Sequence, residues 1–259
     1  MNIKWINILM IITALCSISI SCSKDKVKGP YNSEAYYKEA LALIENKDYK
    51  EAREYLTEIK NRDTTKEYAP LAQIKIAETH SLNDEPELAI EEYHEFLRLF
   101  PSHKYAVYSQ FQIACAYYDQ IEGQDREYSA ASKAIDEFKK LEQFYPRNPY
   151  SDIIRIRISQ CRDLLASHEE YVAQFYYIKG SNDSAINRLK YIIHKYPDYS
   201  KIAQIYYYAG LNYLEKDNVI EAKEYFKKAI ELSINSKITK KAKSELDSIL
   251  RVENQQRGK

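Results

Sequence analysis

From Tyr171 to Pro197 the chain, YVAQFYYIKGSNDSAINRLKYIIHKYP, runs through two helical hydrophobic periods separated by a polar break. The first carries Ala173 and Tyr176 and ends at Gly180, a residue suited to a left-handed helix C-cap. Ser181, Asn182 and Asp183 supply a turn and an N-cap. The second period places Ala185, Ile186, Leu189, Ile192 and Ile193 on one face. Pro197 stops it, because proline has no N–H to continue the helix. The pattern predicts two antiparallel helices. A single hairpin leaves its apolar face uncovered, so the same pattern predicts neighbours of the same kind.

Those neighbours are present. The first unit has Tyr36, Ala40 and Leu43 on a helix over about 33–46, then Asp48 opening a second helix with Ala52, Leu56 and Ile59. In the second, Ala77 precedes Asp84-Glu85-Pro86, a cap with proline in the opening turn, then Ala89, Tyr93 and Phe96, closed by Pro101. The third has Phe111, Cys115 and Tyr118, then Ala134, Phe138 and Leu141, then Pro146. The stretch 171–197 is the fourth. The fifth has Tyr206, Gly210 and Tyr213, then Ala222, Phe226 and Ala229, and an amphipathic segment Lys237–Leu250 follows that can cap the open end. The fifth unit resembles the tetratricopeptide repeat (TPR) position by position. The expected fold class is all-α: an α-solenoid of about five TPR helix-turn-helix repeats with a C-terminal capping helix.

The second-helix alanines step by 37 (52 to 89), 45 (89 to 134), 51 (134 to 185) and 37 (185 to 222), against a regular TPR period of about 34. The polar loop 121–127, IEGQDRE, absorbs the 45 step. Asp152–Lys179, free of proline and glycine, absorbs the 51 step as one helix about 40 Å long. That helix would tie an N-terminal half (31–151, three units) to a C-terminal half (152–259, two units and the cap).

Composition narrows the function. The 38 basic and 38 acidic side chains are interspersed, so no stripe for nucleic acid stands out. Five Gly and seven Pro suit helices, and most of the 25 Tyr are expected as packing between them with their hydroxyls at the edge. The five histidines (80, 94, 103, 168 and 194) show no metal-ligand spacing, and Glu91-Glu92 and Glu169-Glu170 read as solvated helix faces. No phosphate-cradling glycine loop or nucleophile arrangement is present, so no enzyme and no cofactor is expected.

The first residues have a different character. Lys4 precedes an apolar run from Ile6 to about Ile20, too short for a membrane span of about 20 residues and suited to a secretory signal. It closes on Ser19-Ile20-Ser21-Cys22, which resembles the lipobox of bacterial lipoproteins, with Ser19 where that motif usually has Leu. The expectation is a signal over 1–21, acylation at Cys22, and a polar tether over 22–30. Ser23 resembles an outer-membrane sorting residue. Cys115 and Cys161, both in apolar helical segments, suit two buried thiols, with pairing in an oxidising periplasm as the alternative.

Several segments together resemble the BamD family of β-barrel assembly lipoproteins. In DREYSAASKAIDEFKKLEQFYP (125–146) the likeness lies in Asp125-Arg126 and in the Phe-x-x-Leu ahead of Tyr145-Pro146. In HEEYVAQFYYIKGSNDSAINRLKYIIHKYPD (168–198) it lies in the paired Tyr, the basic residue before Gly180 and Asn187-Arg188. The resemblance implies a non-enzymatic scaffold on the periplasmic face of the outer membrane. Its C-terminal repeats would dock a POTRA domain of a BamA-like barrel subunit, and its N-terminal repeats would receive unfolded outer-membrane proteins; other assembly lipoproteins would join. Arg188 matches the family arginine at the POTRA contact, with Tyr191 and Lys195 beside it at i+3 and i+7. Lys50 and Arg62 keep the basic positions of the substrate site, while the family's aromatic and Pro after Asn61-Arg62 are replaced by Asp63-Thr64-Thr65-Lys66. Two other readings share the repeats: a generic envelope adaptor for cell wall or division, and a nutrient-uptake lipoprotein, whose kind carries large inserts that this chain has no room for.

Overall fold

The computed structural model describes residues 30–122 and 128–257. The signal, Cys22 and the tether up to residue 29, and the Asp125-Arg126 pair, lie outside the described residues. Eleven α-helices and a 3₁₀ turn, Gln120–Glu122, make up the described elements, and there is no strand among them. The helices are α1 Ser33–Glu45, α2 Tyr49–Arg62, α3 Ala69–Leu82, α4 Pro86–Leu99, α5 Ala106–Asp119, α6 Tyr128–Phe144, α7 Ser151–Ile178, α8 Asn182–Lys195, α9 Ile202–Leu214, α10 Val219–Leu232 and α11 Ser236–Arg257. Five hairpins and a terminal helix follow, as a TPR solenoid requires. The long helix expected over 152–179 is α7, 28 residues, and the terminal helix runs seven residues past Leu250.

The chain divides into two compact units at the Ala72–Gln73 bond. In the first, Ala40 and Leu43 of α1 and Ala52, Leu56 and Ile59 of α2 are buried. Small residues let the two helices approach, and the larger ones fill the space around them.

In the second unit the same device repeats along sequential layers. Ala77, Ala89, Tyr93 and Phe96 form one core with Ile113. Ala134, Phe138 and Leu141 meet Cys115, Ile154 and Cys161 in the next. Ala173 of α7, Leu189 and Ile192 of α8 and Ile205 and Ala209 of α9 make a third. Ala222, Phe226 and Ala229 of α10 meet Ala242 and Ile249 of α11, which covers the last repeat. Burying one such Phe or Leu contributes about 1.5–3 kcal/mol.

Buried polar contacts mark equivalent places in successive repeats. Gln73 Nε2 donates to the Glu92 backbone carbonyl at 3.1 Å, and Gln110 Nε2 donates to the Glu137 carbonyl at 3.3 Å and to its carboxylate at 2.7 Å. The first pair is 19 residues apart and the second 27. The difference of eight is the excess of the 45-residue alanine step over the 37-residue step. The insertion therefore leaves the helix register of the third hairpin untouched.

The reading of Glu170 as a solvated helix face is corrected. Glu170 is buried and accepts hydrogen bonds from the Tyr199 hydroxyl at 2.8 Å, Gln204 Nε2 at 2.6 Å and Gln174 Nε2 at 3.2 Å. The length of α7 carries it past the α8–α9 connection, where the carboxylate gathers donors from three segments. Its neighbour Glu169 is ion-paired rather than free, and the Glu92 carboxylate accepts from Gln73 Nε2.

The hairpin turns share one backbone feature. Lys47, Asp84, Gly180 and Asp217 adopt φ of 64°, 58°, 73° and 55° between the helices of units one, two, four and five. A left-handed residue there lets amide groups bond back to the ending helix, as Asp48 N–H does to Leu43 and Ser181 N–H to Tyr176.

Candidate docking surfaces

Arg188 is exposed at the edge of the buried face of α8, one turn before the buried Ile192, and Ile193 is half-buried. Its Nη1 donates to Glu169 Oε2 of α7 at 3.0 Å; the arginine side chain is 46% exposed and the glutamate 19%. A partly exposed pair of this kind is worth about 0–1 kcal/mol to the fold. Arg188 is thus held in place but can exchange Glu169 for another carboxylate at small cost. Tyr191, one turn on, is exposed, and its ring stands edge-on to Tyr196 at 6.1 Å. Burial, then the neighbouring Tyr191 hydroxyl, pushes the Tyr196 phenol up to about 12. Lys195 is exposed at the end of the same ridge.

A residue that sequence reasoning passed over fixes that ridge. Arg162 of α7 donates through Nε to Asp198 Oδ2 at 2.9 Å and through Nη2 to the Lys195 carbonyl at 3.0 Å, with its guanidinium 5.4 Å from the Tyr196 ring centre. A cation at this helix C-terminus meets both the negative end of the dipole and orphan carbonyls. Arg162 holds the Asp198 carboxyl below the usual carboxylate range through the side-chain hydrogen bond, against the opposing effect of burial. No local pattern in the sequence marks this arginine, since Asp198 and the Lys195 carbonyl lie 36 and 33 residues away along the chain.

The other pair of expected residues shares a groove. Lys50 and Arg62 line an open cleft of about 750 Å³ together with Tyr36, Tyr55, Thr57 and Glu58 on α1 and α2. The Arg62 guanidinium lies 4.2 Å over the Tyr31 ring, which contacts Tyr36 at 5.1 Å, and Tyr36 contacts Tyr55 at 5.3 Å. The ring beside Arg62 thus comes from ahead of α1 and not from the residues that follow α2. Glu51, Glu54 and Glu58 also line the cleft, so its charge is mixed. Arg62 pairs with Glu58 at 3.3 Å.

Asp63, standing where the resemblance leads one to look for an aromatic ring, has a structural task. Its carboxylate accepts from Thr65 N–H and hydroxyl at 3.2 and 2.6 Å and from the Tyr68 and Ala69 N–H groups at 2.7 and 2.9 Å. It closes the α2–α3 loop and satisfies amides at the start of α3. Desolvation raises its pKa, and these hydrogen bonds outweigh that and lower it below its ordinary value.

Cys115 and Cys161 are buried free thiols, and Arg157 Nη1 donates to Cys115 Sγ at 2.6 Å. Burial pushes each thiol up to about 11 against the opposing pull of Arg157. Among the described residues no group of His, Cys, Asp and Glu is arranged to hold a metal, and no helix is long and apolar enough to cross a membrane.

Residues 30–206 match a family described as outer membrane lipoprotein, YfiO, and 203–233 match the tetratricopeptide repeat. Three curated relatives are each named outer membrane protein assembly factor BamD. The protein of Caulobacter vibrioides is 24% identical over 221 residues, covering 80% of this chain and 72% of the relative. That of Rickettsia prowazekii is 26% identical over 73% of this chain and 75% of its own length. That of Neisseria gonorrhoeae is 27% identical over 70% and 72%. The chain belongs to the YfiO/BamD family of outer membrane lipoproteins, assembly factors that act as non-enzymatic TPR scaffolds.

Proposed function

We propose that this assembly factor is a scaffold held at the periplasmic face of the outer membrane by acylated Cys22. Its C-terminal repeats bind the POTRA-bearing barrel subunit, and its N-terminal repeats bind unfolded barrel proteins. The observation that carries the first contact is the ridge of Arg188, Tyr191 and Lys195: a cation, a ring and a second cation on one exposed face of α8, braced from α7 by Glu169 and Arg162. A rigid amphipathic ridge with an exchangeable carboxylate partner suits a domain that presents acidic side chains at its edge. The family membership supports this assignment of partner.

For the N-terminal contact, Lys50 and Arg62 beside Tyr36 and Tyr55 offer cations for a C-terminal carboxylate and rings for apolar side chains of an extended strand. Pull-down of the lipidated chain from envelope in mild detergent tests the reading. Recovery of the POTRA-bearing protein is the expected result. Recovery of peptidoglycan-synthesis or division proteins in its place contradicts it.

A further inference from the structure

The last helix differs in charge from the repeats it covers. Ile238, Ala242 and Ile249 of α11 are buried, while Lys237, Lys240 and Lys243 stand exposed on its other side with Lys241 and Arg251 flanking them. Among the described residues none of these five cations forms an ion pair. All three lysines of α10 do: Lys223 with Glu253, Lys227 with Glu224 and Lys228 with Glu231. The first turn of α11 carries no acidic residue, although the helix dipole favours carboxylates there and works against cations. Four lysines within 237–243 also repel one another. Covering the last repeat requires only that this outer face be polar, so packing gives no reason for the lysines. Just ahead of them Ile234 is 100% exposed and Leu232 38%. The loop that carries both is closed on itself: the Ser233 hydroxyl donates to the Asn235 carbonyl at 2.8 Å, and the Lys237 N–H donates to Asn235 Oδ1 at 2.9 Å. Ile234 is thus held out in water, three residues before the first unpaired lysine.

We propose that Ile234 and the lysine face of α11 dock on a surface of anionic phospholipids, with the lysines on the phosphates and Ile234 among the upper acyl carbons. The charge of the face is complementary to such a surface, and lysine acts there as a point charge that needs no fixed geometry. The family is one of outer membrane lipoproteins, so the chain works beside lipid. A soluble polyanion would meet the lysines and leave Ile234 in water, whereas a headgroup layer takes both. One acyl anchor with a polybasic face makes two membrane signals, the number that stable attachment takes. The contact rests neither on acylation of Cys22 nor on the docking proposed at Arg188.

The test uses the full chain with Trp5→Phe and Ile234→Trp. Trp5 is the one tryptophan of the sequence, so all indole emission then comes from position 234. The chain is mixed with vesicles of phosphatidylcholine and, separately, with vesicles of phosphatidylcholine and phosphatidylglycerol. On the anionic vesicles the emission is expected to shift to the blue and to be quenched by lipids brominated in their upper acyl carbons. Salt at about 1 M, which shortens the screening length to about 3 Å, is expected to reverse both effects. On the zwitterionic vesicles the emission is expected to stay at the wavelength of indole in water. Lys237→Gln, Lys240→Gln and Lys243→Gln together are expected to weaken docking roughly a hundredfold with helicity kept. Flotation with the zwitterionic vesicles reads an anchor at Cys22 separately. The same emission on both kinds of vesicle, or an undiminished blue shift in the triple variant, overturns the proposal.

Discussion

A Cβ placed on Gly210 of α9 would stand 2.6 Å from Phe226 Cε1 of α10, nearer than real Cβ atoms come. Phe226 is fully buried and cannot swing away. Alanine in a helix interior is ordinarily better than glycine by about 1 kcal/mol. Here overpacking opposes it, and Gly210→Ala is expected to lower stability by about 1–3 kcal/mol. Urea unfolding followed by circular dichroism measures it; a stabilised variant would show that the two helices separate easily.

Lys47 sits left-handed at the turn between α1 and α2, where the equivalent turn of the fourth unit has Gly180. An L-residue with a Cβ pays about 1–2 kcal/mol for that conformation. Lys47→Gly is expected to raise the stability of the first hairpin by a little under 1 kcal/mol after glycine's greater unfolded entropy is subtracted. Hydrogen exchange of the amides of α1 and α2 reports it, with slower exchange expected.

Asp63 accepts four hydrogen bonds at the start of α3. Asp63→Ala is expected to cost about 1–2 kcal/mol at pH 7. The folded pKa is lowered, so the carboxylate's contribution is present above its unfolded value near 4 and fades as pH falls through the lower folded value. The stability gap between wild type and variant should therefore narrow below pH 4. A gap constant down to pH 2 would assign the effect to something other than ionised Asp63.

With both thiols pushed up to about 11, Cys115 and Cys161 hold little thiolate at neutral pH. Iodoacetamide at pH 7.5 is expected to leave the peptides containing them unlabelled in the native chain and to label both in urea without reductant. Protection that persists in urea until reductant is added would mean that the two are paired.

What was legible in the sequence follows from local physics. Ala40, Ala52, Ala89, Ala134 and Ala222 announce helix crossings because only a small side chain fits there, and all are buried. The uninterrupted run from Asp152 to Lys179 announced α7, since nothing in it breaks a helix. Lys47, Asp84 and Asp217 were silent. Their left-handed φ is imposed by the turn, and only Gly180 advertises it by type. Glu170 and Arg162 were silent for a different reason. Their partners lie roughly 30 residues on, and a carboxylate on a helix looks the same in sequence whether it faces water or Tyr199. The Arg62–Tyr31 stack was missed because the ring comes before the first helix rather than after the second, a long-range contact with no local period.

The proposed POTRA contact turns on Arg188. Its pair with Glu169 contributes little to the fold, and at this exposed position the new carboxylate can turn from Glu169 into water, so Arg188→Glu should keep its helicity and lower Tm only slightly. The measurement is co-purification of the POTRA-bearing barrel subunit with wild type and with Arg188→Glu, at equal amounts of the lipidated chain and matched circular dichroism. The expected result is at least tenfold less partner with the variant, restored in part by a lysine or arginine in place of an acidic residue on the POTRA edge. Undiminished recovery of the partner by a folded Arg188→Glu chain would contradict the claim.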